Sequence, residues 1–188
     1  IRPAHYLSAG TVGPRAPLHA ERREKADDTS LQVTFPAIEG WPVETTARYT
    51  PGEEGNVDVA FRFSFDASIQ GFEVQVISAF AEGAPTPHIH TEGDWFRPAL
   101  RSHEICFFAR DEQTASNIES GRWDFYLAQG CKVLLDERGY DYPILVYFDE
   151  RDNWALVQMM LTDECPSLCL CGQPPQHNFS LLGRDVEK

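Results

Sequence analysis

Two clusters of metal-ligating residue types stand out along the chain. The first is Cys165-Pro-Ser-Leu-Cys169-Leu-Cys171, with His177 six residues further on. Three thiols and an imidazole within thirteen residues supply the four ligands that tetrahedral zinc takes. Their spacing differs from the Cys-x2-Cys of the common zinc modules. Free buried thiols, or a disulfide between two of the three, suit the same residues. The second cluster is Pro87-His88-Ile89-His90, followed by His103-Glu104. A strand puts His88 and His90 on one face. If an antiparallel neighbour returns the chain, His103 comes back beside His90. Three neutral imidazoles then meet a divalent ion, with Glu92 or Glu104 adding a carboxylate. The plainer alternative is a polar loop with histidines at its base.

The fragment Gly83-Ala-Pro-Thr-Pro-His88-Ile-His90 resembles the first metal motif of the cupins, which are β-barrel proteins. The resemblance covers eight residues and implies a metal held by His88 and His90. The chain departs from the motif in two ways. The carboxylate comes too early, at Glu92, and the distant histidine of the second motif has no counterpart. Ser167-Leu-Cys-Leu-Cys171 is similar to part of the cysteine claw of nitrile hydratases. That motif needs a cysteine and a serine where this chain has Pro166 and Leu170, which excludes the reading.

Other catalytic classes leave no trace: there is no Gly-x-Ser-x-Gly, no Gly-x4-Gly-Lys-Ser/Thr and no Gly-x-Gly-x-x-Gly. The pairs Asp27-Asp28, Glu53-Glu54 and Asp149-Glu150 read as exposed turn or arm acids rather than acid–base machinery.

The elements that must position these clusters are mostly strands. Leu31–Phe35 alternates apolar and polar residues, and Val57–Phe65 does so for nine positions. Val57–Phe65 and Phe72–Ile77, separated by Gly71, are predicted to be adjacent antiparallel strands, with Val57, Val59, Phe61, Phe63 and Phe65 buried. Ile105–Phe108 is apolar at every position and reads as a central strand. Asp111–Ser120 is the clear helix, with Asp111 as its cap and Gly121 as its stop. Further strands are expected at Trp123–Leu127, Lys132–Leu135, Ile144–Phe148 and Trp154–Leu161. Residues 91–102 read as a loop, which exposes Trp95 and Phe96 as candidate partner contacts. The expected fold is α+β and β-rich: mainly antiparallel, sandwich- or barrel-like, with one helix and an extended N-terminal arm.

Residues 1–30 form that arm, and residues 31–188 a single β-rich domain. The arm holds Pro3, Pro14, Pro17, Gly10 and Gly13 and sums to +1, whereas the remainder sums to −14. Tyr6 and Leu18 are its candidate anchors on a partner, and Leu18–Asp28 reads as a short polar helix. The net charge of −13 argues against a nucleic-acid partner, which needs a basic patch. No apolar run reaches the ~18 residues of a membrane-crossing helix, so no membrane insertion is expected. The odd cysteine count and the acid-poor start, with Arg2 and Arg15, favour an intracellular or organellar location over a secreted one. The expected function is a non-catalytic binding or accessory subunit with protein partners and a small Cys/His zinc site. The alternative is a metal-dependent enzyme using His88, His90 and His103 with zinc or another divalent ion.

Overall fold

The computed structural model describes residues 4–11, 22–25, 29–68, 72–79, 86–121, 130–151, 153–172 and 176–180. The chain divides into two units. One comprises residues 1–15 and 71–187, the other residues 16–70 with the terminal Lys188.

The architecture of the larger unit follows from the apolar strand β9 (Glu104–Ala109). Residues 105–109 are all buried, so both faces of β9 must be covered. On one face Ile105, Phe107 and Ala109 pack with Ile118 of helix α1 (Glu112–Glu119). On the other, Cys106 and Phe108 pack with Ile89, Leu145 and Tyr147 of a second sheet. The layers are therefore helix, six-stranded sheet, four-stranded sheet.

The six-stranded sheet runs β1 (Ala4–Thr11), β6 (Phe72–Ala79), β14 (Gln176–Ser180), β13 (Ser167–Cys171), β9, β10 (Lys132–Asp136). Its neighbours are antiparallel except β9 and β10, which are parallel. The segment joining that pair contains α1 and is long enough for the crossover that parallel strands need. Asp111 caps α1, its carboxylate accepting from the Thr114 amide at 2.9 Å and the Thr114 hydroxyl at 2.8 Å. Gly121 follows with φ 79°, as the sequence predicted. Just past β13, at Gly172, the chain passes close to Arg101. A Cβ at Gly172 would collide with the Arg101 carbonyl oxygen.

The four-stranded sheet runs β12 (Trp154–Met159), β11 (Tyr142–Asp149), β7 (His88–Thr91), β8 (Asp94–Phe96), antiparallel throughout. Burial alternates along β11 and β7, the pattern of a sheet with one face in the core.

The smaller unit is a meander of β2 (Arg22–Lys25), β3 (Leu31–Phe35), β4 (Val43–Pro51) and β5 (Val57–Phe65), antiparallel throughout. Val43, Thr45 and Ala47 of β4 lie opposite Phe65, Phe63 and Phe61 of β5, which puts the apolar side chains on one face.

The β-rich α+β class with a single helix among the described residues is as expected, and no sheet closes into a barrel. Several local expectations are corrected. β5 pairs with β4 and is an edge strand, whereas β6 lies between β1 and β14. The short link at Gly71 joins two sheets rather than the arms of a hairpin. On β5 the face is graded: Phe61, Phe63 and Phe65 are half-buried, but Val57 and Val59 are exposed. The first thirty residues supply β1 and β2, so the strands are not confined to 31–188. Arg22–Lys25 is extended, not helical. Trp123–Leu127 and Leu18 lie outside the described residues.

Candidate binding face and histidine–aspartate pair

Cys169 and Cys171 lie on β13, whereas Cys165 precedes the strand, and that difference decides the fate of the cysteine cluster. Along β13, Leu168 and Leu170 face the inter-sheet core, and Cys169 and Cys171 face α1. Cys165 joins the inter-sheet core, its carbonyl accepting from the Tyr140 hydroxyl. Cys165 and Cys169 thus sit on opposite sides of the six-stranded sheet, which corrects the expectation that the cluster converges. His177 pairs in register with Leu170. None of the five cysteines is joined in a disulfide. Cys131 shares the helix-side layer with Cys169 and Cys171. The Cys169 side chain hydrogen-bonds Cys171 and holds the Cys171 thiol below its ordinary value against the pull of burial. Burial pushes the Cys106 thiol up to about 12, with Asp136 nearby adding to it. That thiol is inert at neutral pH.

The histidines divide in a different way. His88 and His90 share the outer face of β7, while Ile89 and Thr91 are buried behind them. His103 is exposed in the turn entering β9, at φ 66°, and its carbonyl accepts from the Lys132 amide. Among the described residues, no three His, Cys, Asp or Glu side chains converge in a way that would hold a metal ion.

What the sequence did not signal is the partner of His90. Asp141 Oδ2 lies 2.8 Å from His90 Nδ1 and also accepts from the Gly93 amide at 2.8 Å. The Asp141 amide donates back to the His90 carbonyl at 2.9 Å. The Gly93 N–H first, and His90 second among the stabilising contacts, hold the Asp141 carboxyl below the ordinary aspartate range. A carboxylate on Nδ1 keeps the proton there and makes Nε2 the basic nitrogen of the ring. The pair depends on the β7–β8 hairpin, whose two turn residues, Glu92 and Gly93, have φ of 53° and 81°. Two positive φ values give the hairpin turn that matches strand twist, and glycine adopts one at no steric cost. This tight turn makes β8 a strand, so Trp95 and Phe96 belong to it rather than to a loop.

Strand alternation then separates the two aromatics. Phe96 turns inward to the core and carries the Arg138 guanidinium 3.5 Å above its ring. Trp95 turns outward, 47% exposed, with its ring edge-on to His90. Tyr142 packs against His90 from the other side, its ring centre 5.1 Å away. The register assembles the outer face in rows: Trp95–His90–Tyr142, then His88–Val146–Val157, with Ile144–Met159 and Phe148–Ala155 beside them. Tyr142, Phe148, Val157 and Met159 are exposed, and so is Leu161 just beyond β12. These rows contain no Asp, Glu, Lys or Arg, although the chain carries −13. His88 Nδ1 is the buried side-chain nitrogen or oxygen, among the described residues, that has no hydrogen-bond partner.

Tyr6 lies in β1, opposite Ile77. No helix among the described residues is long and apolar enough to cross a membrane. No family model, curated protein or solved structure matches the chain.

Proposed function

We propose that this chain is a non-catalytic binding or accessory subunit of a larger protein assembly, docking through the outer face of the four-stranded sheet. The observation that carries this reading is the composition of that face. Trp95, Tyr142, Phe148, Val157, Met159 and Leu161 leave six large, mainly apolar side chains exposed to water, the kind of surface that marks an interaction site. Aromatic and methionine side chains are the types enriched at protein interfaces, and charged residues are the types depleted there. The edge supports the same reading. Trp154-Ala-Leu-Val-Gln-Met159 holds neither a charge nor a proline, the devices that usually blunt an edge strand. β10, an edge of the six-stranded sheet, by contrast carries Lys132 and Asp136.

The test is a photo-crosslinking residue placed at Val157, compared with one at Ser116 on the exposed side of α1. Discrete protein adducts at position 157, absent at 116, are expected. Equal labelling at the two positions, or none at 157, would overturn the reading.

A further inference from the structure

We infer that the partner on this face is a second copy of the chain, and that a divalent ion such as zinc joins the two through His88 and His90 of each. This rests on the docking reading above. His88 and His90 present two imidazoles side by side on the outer face, and Asp141 fixes one of them. A carboxylate or carbonyl on the far ring nitrogen is the usual support of a metal-bound histidine, because it sets the tautomer and raises ligand basicity. His88, with a buried nitrogen that finds no protein partner, also lacks its hydrogen-bonding complement.

One copy is not enough. Two histidines fill half of a tetrahedral shell, and no third ligand converges on them among the described residues. A two-fold axis through the ion supplies the missing pair from an identical surface, since such an interface is self-complementary. The surroundings fit this occupant. A second copy brings the same uncharged rows, so two chains of −13 meet without opposing like charges at the centre. Any other acidic or basic partner would bury its charges against apolar side chains.

The experiment is sedimentation of the full chain with and without zinc, alongside metal analysis of the separated species. The expected result is a doubling of the 21.2 kDa mass on adding zinc, with one ion per two chains. His88→Ala with His90→Ala should abolish the zinc response at unchanged circular dichroism. Cys169→Ser with Cys171→Ser should retain it. One zinc per chain with no change of mass, or a zinc-driven dimer that survives the histidine substitutions, would overturn the inference. Val157→Asp separates the two levels. A dimer indifferent to zinc and to the histidines, yet lost in Val157→Asp, keeps the docking face and removes the metal. A monomer under every condition removes the second copy and the ion together, while crosslinks at position 157 still decide the docking reading.

Discussion

Asp141 holds the β7–β8 hairpin through one oxygen shared by the Gly93 amide and His90. Its folded pKa is depressed below the ordinary 3.8. Such a group stabilises the fold above its unfolded value, and that contribution disappears as pH falls through the folded value. The Gly93 amide chemical shift should therefore titrate with a midpoint below 3.8. A midpoint at or above 3.8 would remove the carboxylate from the turn. Asp141→Asn should redistribute the His90 proton between its two nitrogens, read from imidazole nitrogen shifts, without unfolding the chain. None of this was legible in the sequence: His90 and Asp141 are 51 residues apart, and an aspartate beside Tyr140 carries no local signal. The pairing of His88 with His90 on one face was legible, because alternation is a local property of any strand. The cysteine cluster misled because Cys165 lies in the turn before β13, so the alternation that keeps Cys169 and Cys171 on one face does not extend to it.

Elements were read best where burial constrains every position. Ile105–Phe108 is apolar on both faces, and only a central strand satisfies that. Asp111 and Gly121 bracket α1 by capping chemistry that depends on neighbours within one turn. Asp111→Ala should cost about 1 kcal/mol in chemical denaturation, the usual loss of a side-chain cap. A change below ~0.3 kcal/mol would mean that Thr114, which also donates its hydroxyl to Asp111, finds another acceptor. Pairing partners were read worst. The pattern of Val57–Phe65 shows which face is apolar but not which strand lies alongside. The link at Gly71 has the length of a hairpin and serves as a passage between sheets. β8 was missed because three residues are too few to show a period, and the turn that creates it places Glu92, an unusual residue, at positive φ.

On the scale of the molecule, the first and last described strands share one sheet: β6 is flanked by β1 on one side and β14 on the other. The expectation that residues 1–30 are an arm apart from the β-rich domain changes accordingly. β1 pairs with β6 over eight positions, and removing residues 1–15 strips an edge from the six-stranded sheet. The loss should be at least ~2 kcal/mol, seen as a fall of about 4–8 °C in the melting temperature. A shift under ~2 °C would mean that the strand is dispensable. The same topology sets a timetable for synthesis. The meander of residues 22–65 consists of neighbouring strands and can close as soon as it leaves the ribosome. The larger sheet has to wait for β13 and β14, which follow in the chain, before β9 and β6 are joined. Until then the β1–β6 and β9–β10 pairs are separate, and β6 and β9 each keep one open edge on the growing chain. Nascent copies on one messenger then expose the same edges to each other, and the meander that can close first belongs to the unit without the proposed docking face.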